Sequence, residues 1–471
     1  MRRVVVALGM LVAGHTLAQE TVTVPELVAT IQASHPYLAA AAEQGRQRQL
    51  AVQSADSAFD PLIEQETNTR VSGYYDGAIA SQRFVKPLQS MNARLYSEYR
   101  LADGDFPVYE QEYETLSGGE ASLGVMMSLL RYREIDKRRL GLRNAQLAVE
   151  QWRQDYQNDV NEMIFKGVKD YLYWYETALQ VQAVSDLLDA LARRRDAIAS
   201  RVEQGDLAES DLIEFDANAL QQELVLAELK RKLAVTQRAL AFYLRDDQGQ
   251  MKDTSSIRAG ELAWPYQARM ADIVALRRSL ASHPVLAALE QEKRMLTNKA
   301  SLAKTSLLPK LDLKASVARD IGSGAASLDG TETKVGLSFS YPLGNRAAKA
   351  ELSSIESKQT QLDHKIQLAA DSIVQAFEKA YQHWQQTVKI AEMQQKNASL
   401  ADQLYDMEIK RYDAGDTDMF VLNARESSQI RARMKQIKAD IDVYLAELAL
   451  YHAAARLELN IRLSSDGSLP G

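Results

Sequence analysis

Six histidines, at 15, 35, 283, 364, 383 and 452, are the imidazoles available for metal binding or acid–base work, and none stands at metal-ligand spacing from another. His35 and His283 each precede a proline at a helix start, where local capping accounts for them. Zero Cys excludes thiolate sites, thiol catalysis, disulfides and a lipidated N-terminal Cys. Gly322-Ser323-Gly324 sits in a hairpin turn and lacks the strand-to-helix context of a phosphate loop. Carboxylates are abundant, but pairs of them on helix faces are ordinarily solvated surface. The residues therefore imply no catalytic or metal site and no cofactor, and a net charge of −7 gives no electrostatic reason to expect nucleic acid.

Structural elements carry more information than reactive groups do. Only 10 Pro and 22 Gly occur in 471 residues, and 108–264 and 343–469 contain no proline. Long uninterrupted helices follow. Arg2 and Arg3 precede the apolar run Val4–Ala13, and Thr16-Leu17-Ala18 completes a cleavable signal peptide over 1–18, so the mature chain is expected to leave the cytosol. No other stretch approaches 18 apolar residues, so any membrane span must be made of strands.

The chain reads as a tandem duplication. Ser34-His35-Pro36-Tyr37-Leu38 recurs as Ser282-His283-Pro284-Val285-Leu286, an offset of 248 that Pro61 and Pro309 share. Gly124–Ser128 matches Gly336–Ser340 at 212, and Arg201–Asp206 matches Arg411–Asp416 at 210. The drop from 248 to 212 places 36 extra residues in the first copy. Periodicity predicts a first repeat over 19–245, with helix 26–60, strands 62–72 and 121–129 around an insertion 73–118, and helices 131–204 and 207–245. A linker follows at 246–271. The second repeat spans 272–459, with helix 272–308, strands 311–319 and 334–341, and helices 346–414 and 417–459; 460–471 is a tail.

The longest helices carry apolar stripes with a mean step near 3.5, from Ala145 to Leu191 and from Leu352 to Ala391, which is the seam of a left-handed coiled coil. At 1.5 Å per residue, helix 131–204 is roughly 110 Å long and needs partners of equal length. The strands alternate: Leu311, Leu313, Ala315 and Val317 against Asp312, Lys314 and Ser316. The helices run away from these strands, so lipid is the natural cover for the apolar face. Four strands per chain are too few for a barrel, and an oligomer must supply the rest. The competing reading is a soluble periplasmic coiled-coil scaffold or adaptor-like interaction protein, whose strands pack on its own helices.

The duplicated His-Pro-x-Leu helix start, the hairpins between helices, and Arg411-Tyr412-x-x-Gly415 followed by Val421-Leu422-x-Ala424-Arg425 resemble the TolC-type outer-membrane efflux proteins over about residues 25–460. The resemblance implies a mainly α fold with a small β part. It also implies a homotrimer that pools four strands per chain into a twelve-stranded transmembrane β-barrel, continued by a twelve-helix α-barrel across the periplasm. The implied function is the exit duct of a tripartite efflux or type I secretion system in the outer membrane of a Gram-negative bacterium. Its partners would be a periplasmic adaptor protein and an inner-membrane efflux pump or ABC transporter.

The same resemblance makes Arg201, Gly205, Asp206, Arg411, Gly415 and Asp416 the periplasmic tips where the adaptor docks. It makes Asp211, Tyr412 and Asp418 candidate gate contacts. Val421 and Ala424 stand where relatives with an acidic constriction ring carry Asp, which speaks against such a ring here. The insertion is the most individual feature. It concentrates Tyr74, Tyr75, Tyr96, Tyr99, Tyr109 and Tyr113, six of the 20 tyrosines, and reads as an enlarged extracellular loop, an aromatic girdle at the lipid–water interface or a packed loop that caps the barrel, while Leu95, Ser97, Tyr99 and Leu101 alternate as a further strand would.

Overall fold

The computed structural model describes residues 21–246 and 249–458; the leader expected at 1–18 and the tail at 460–471 lie outside them. In chain order the elements are α1 (Val24–Ser34), α2 (Pro36–Asp56), β1 (Leu62–Thr69), β2 (Gly77–Pro87), β3 (Ala93–Gly104), β4 (Glu120–Ser128), α3 (Lys137–Glu203) and α4 (Glu209–Ala241). Then come α5 (Met270–Ser279), α6 (Pro284–Ser306), β5 (Lys310–Asp320), β6 (Thr331–Ser340), α7 (Arg346–Asp413) and α8 (Met419–Ala453). Apart from β2 and β3, the second half repeats the order of the first.

Both first helices differ from their expected extents. Where one helix was expected at 26–60 and one at 272–308, there are two each, because Pro36 and Pro284 have no N–H and drive the preceding residue into extended backbone. His35 has ψ 124° and His283 ψ 135°. Each imidazole then serves as a cap: Nδ1 of His35 accepts from the Tyr37 N–H at 3.3 Å, and Nδ1 of His283 from the Val285 N–H at 3.2 Å. Helix α3 starts six residues later than 131, because the preceding chain still extends the sheet. The Leu129 N–H donates to the Leu311 carbonyl at 2.8 Å, and Asp136 then accepts from the Arg138 and Arg139 N–H groups to start the helix.

The chain divides into two compact units. One comprises residues 40–158 and 281–372 and holds the whole sheet with all of α6 and parts of α2, α3 and α7. Those helices lie side by side in the order α2, α3, α6, α7. Trp152 Nε1 on α3 donates to the Ala41 carbonyl on α2 at 2.8 Å, Asn298 on α6 donates to Asn144 on α3 at 3.0 Å, and Lys293 on α6 pairs with Asp363 on α7 at 2.8 Å.

The sheet has six strands in the order β1-β2-β3-β4-β5-β6, every neighbour antiparallel. The expectation of four strands per chain is corrected here. The insertion is not a loop: 11-residue β2 and 12-residue β3 form a hairpin and take the second and third places, between β1 and β4. Strand β2, Gly77-Ala-Ile-Ala-Ser-Gln-Arg-Phe-Val-Lys-Pro, alternates too weakly for its period to show without its partner. Its register does show it. Phe84 lies opposite Ile63 and Ser97, and the row continues through Leu123, Val317 and Thr333.

That register sorts the sheet into two faces. On one, every strand contributes an exposed apolar side chain: Ile63, Phe84, Leu95, Leu123, Val317 and, on β6, Val335, Leu337 and Phe339. The other face is polar and ion-paired. Arg83 donates from two nitrogens to Glu98, the shorter bond 2.7 Å, and Arg100 pairs with Glu120 at 3.2 Å. Tyr96 lies on this face, only 6% exposed, and crosses over Gly124, where an added Cβ would collide with its ring. Gly124→Ala should therefore overpack the sheet by about 1–3 kcal/mol. Thermal melting is expected to show the loss, with Gly124→Ala plus Tyr96→Val less damaged than the two singles summed.

The second unit comprises the described parts of residues 1–39, 159–280 and 373–471. Val24, Leu27, Val28 and Ile31 of α1 are buried in it, while Ile273, Leu276 and Leu280 cluster with Phe377, Leu450 and Ala454. The linker is pinned to α8 through Glu447, which accepts from Trp264 Nε1 at 2.6 Å and from the Ala268 N–H at 3.0 Å. Burial raises the Glu447 pKa above the ordinary carboxylate value, against the pull of those two bonds. A raised folded pKa is a contribution present below the unfolded value, about 4.3, and lost as pH rises through the folded one. Glu447→Gln should thus flatten the decline in thermal stability just above pH 4.3; an unaltered pH–stability curve would refute this.

Candidate functional site

Both helical turns of the second unit are built alike. Gly205 and Gly415 have φ of 80° and 78°, and the N–H of the following Asp206 or Asp416 closes back on the Arg201 or Arg411 carbonyl at 2.9 Å. This is a left-handed helix stop, and the backbone alone requires the glycine, since a Cβ would touch nothing at either position. Arg201, Gly205, Asp206, Arg411, Gly415 and Asp416 are all exposed. Beneath them the two hairpins share one core, with Leu191, Ile198 and Phe215 from the first and Met419 and Leu422 from the second.

The gate candidates have different surroundings. Asp211, in the first turn of α4, accepts from the Ala208 N–H at 3.2 Å. Asp418 is the N-cap of α8 and accepts from the Val421 N–H at 2.9 Å. Both carboxylates satisfy helix starts. Tyr412 packs against the shared core, and its hydroxyl has no hydrogen-bond partner among the described residues. Burial raises the Tyr412 pKa; Arg201 opposes and Asp211 adds to that shift, so these three groups share a neighbourhood.

Sequence reasoning missed a polar knot between the four helices here. Arg194 on α3 donates to Glu426 on α8 and to the Tyr405 hydroxyl on α7, each at 2.7 Å. Tyr405 donates to Glu426 at 3.0 Å, and Asn218 on α4 donates to the other Glu426 oxygen at 3.1 Å. Glu426 is fully buried. Burial works against the Arg194 charge, and Tyr405 and Glu426 overcome it and raise its pKa. Burial likewise raises that of Tyr405. The only trace in sequence is polar residues on apolar faces: Asn218 three after Phe215 and Glu426 four after Leu422.

Two exposed apolar seams were also missed. On α7 they are Ile390, Met393, Leu400, Leu404 and Met407; on α4, Ile213, Leu220, Leu224 and Val235. Each set falls on one helix face at heptad-like steps.

In the sheet-bearing unit, the insertion's tyrosines do not form one belt. Tyr99 lies on the apolar face and donates to the Gly118 carbonyl, Tyr96 lies on the polar one, and Tyr74 is almost fully exposed. Tyr75, Tyr109 and Tyr113 line a cleft of about 740 Å³ with Arg70, Arg100 and Glu110, where Arg70 stacks on Tyr75 and pairs with Glu110 at 3.4 Å.

Among the described residues, no helix is long and apolar enough to cross a membrane, and no group of three His, Asp or Glu is placed to hold a metal. An exposed apolar sheet face beside long paired helices is a known combination. Residues 275–456 match the family model of outer membrane efflux proteins. The chain has the outer-membrane efflux channel fold.

Solved structures agree with that fold. The outer membrane protein VceC of Vibrio cholerae is 14% identical, with 92% of this chain and 96% of that one covered, at a TM-score of 0.63. The open-state outer membrane channel MtrE of Neisseria gonorrhoeae is 14% identical over 92% and 88%, at 0.60. The outer membrane channel CmeC of Campylobacter jejuni is 14% identical over 92% and 87%, at 0.59. No curated protein matches by sequence at a significant level. The resemblance and the mainly α fold class read from the residues are borne out, and the matched efflux family is one of channels, not enzymes.

Removing one member of the polar knot leaves a charge in a half-desolvated place. Glu426→Ala should cost about 3–5 kcal/mol, read by chemical unfolding of the helices. Arg194→Met with Glu426→Leu should restore much of it, and no recovery would show that the pair does not act as a unit.

Proposed function

We propose that this chain is the outer-membrane exit duct of a tripartite efflux or type I secretion system in a Gram-negative bacterium. The observation that carries the proposal is the exposed apolar face to which all six strands contribute, opposite an ion-paired polar face. In lipid every backbone polar group needs a partner, so a sheet with such a face belongs in a closed barrel. The scaffold reading requires the chain's own helices to cover this face, and Leu123, Val335, Leu337 and Phe339 are each at least 64% exposed.

The chain acts as a homotrimer, in keeping with the apolar seams left open on α4 and α7. The glycine turns are its periplasmic tips, presenting Arg201, Asp206, Arg411 and Asp416 to an adaptor protein. The duct is passive: an inner-membrane pump or ABC transporter supplies the energy, and solute passes when the tips dilate. Asp211, Tyr412 and Asp418 are the gate contacts, with the knot around Glu426 holding each chain's two hairpins together behind them.

Heat-resistant trimers on gels and discrete conductance steps in planar bilayers are expected of the mature protein; a stable monomer without detergent would defeat the channel reading. Asp211→Ala and Tyr412→Phe should raise single-channel conductance. Closure unchanged in both would remove the gate assignment and leave the duct.

A further inference from the structure

We infer that the barrel closes from eighteen strands, three copies of a six-stranded sheet, with β6 of one chain paired to β1 of the next. The inference rests on the trimeric channel reading and changes the barrel within it.

Three observations converge. First, β2 and β3 are interior strands, paired along their length with neighbours on both sides, and each puts an exposed apolar side chain, Phe84 and Leu95, on the same face as those of the other strands. The six strands have 8 to 12 residues each, near the 9–11 that tilted strands need to span a bilayer. A hairpin held above the membrane would have no use for that face.

Second, the sheet has two unpaired edges. Every residue of β1 and of β6 is exposed, and neither edge carries a proline or a bulge that would blunt it. With an even number of antiparallel strands per chain, β6 runs opposite to β1, so a neighbour's β1 continues the antiparallel order.

Third, the widths agree. The unit that holds the sheet arranges its helices in the row α2, α3, α6, α7, with α2 leading into β1 and β6 leading into α7. Four helices at 8–10 Å spacing need an arc of about 32–40 Å. Six strands at about 4.8 Å, tilted about 40°, need about 38 Å, within the arc that the helix row needs. Helix row and strand row therefore close around one axis with the same rotation per chain.

The occupant of each edge is thus a second copy of this chain, and barrels of this strand number leave an aqueous lumen. The polar face, with Arg83–Glu98 and Arg100–Glu120, lines it.

The absence of native cysteines makes a direct test clean. Glu66→Cys on β1 is combined in turn with Glu332→Cys, Lys334→Cys and Ser338→Cys on β6, all on the polar face. In outer membranes at least one pair should give oxidant-dependent covalent dimers and trimers that each single variant lacks. In the same membranes, Phe84→Cys and Leu95→Cys should resist a water-soluble maleimide until denatured, while Ser81→Cys on the lumen face reacts. Rapid labelling of Phe84→Cys and Leu95→Cys, or silence of all three β1–β6 pairs, in a protein that still forms conducting trimers would overturn the eighteen-stranded closure alone. A protein without trimers or conductance would defeat the channel reading beneath it.

Discussion

In the channel reading proposed for this chain, backbone hydrogen bonding in lipid is the constraint on which the molecule turns. A strand facing hydrocarbon has no water to satisfy its N–H and C=O groups, so each must pair with another strand. The chain meets that demand for four of its six strands and leaves β1 and β6 half-paired. Much of the rest can be understood as what makes an incomplete sheet tolerable in one chain and useful in several: the sorted faces, the helix row beside it, and the apolar seams that stay open on α4 and α7.

The same division between apolar and polar surface takes different forms in the two units. In the sheet, burial of polar groups is handled by cross-strand ion pairs and by Tyr96 covering Gly124. Among the helices, the buried Glu426 is satisfied by three partners from three other helices. Such a knot adds little net stability over apolar packing, because desolvation offsets its attraction, but a shift of either hairpin would leave the buried Glu426 short of partners. In the proposed duct, that definition would matter more than a larger core.

The individuality of this protein is concentrated in the insertion. A stretch of 36 residues in one repeat can be accommodated as a loop at small cost. Here it becomes β2 and β3 and widens the sheet by half. Its tyrosines divide accordingly: Tyr99 joins the apolar face, Tyr96 the polar one, and Tyr75, Tyr109 and Tyr113 line a cleft at the strand ends. With Tyr74 left almost fully exposed, what looked like one aromatic feature in sequence is four separate environments.

Sequence alone determined whatever depends on local period and on punctuation. The heptad stripes, the glycine turns at 205 and 415, the proline-led helix starts and the alternation of β5 were all legible, because 3.5-residue and 2-residue periods and missing N–H groups act within a few residues. Tertiary structure alone decided the place of β2, whose weak alternation acquires a face only when Phe84 is set against Ile63 and Ser97. It also decided the knot, since Arg194 and Glu426 stand 232 residues apart and no local pattern joins them. The duplication set the two glycine turns and the paired long helices on either side of them; strand pairing and desolvation, which act between distant segments, fixed how wide the sheet is and what holds the hairpins together.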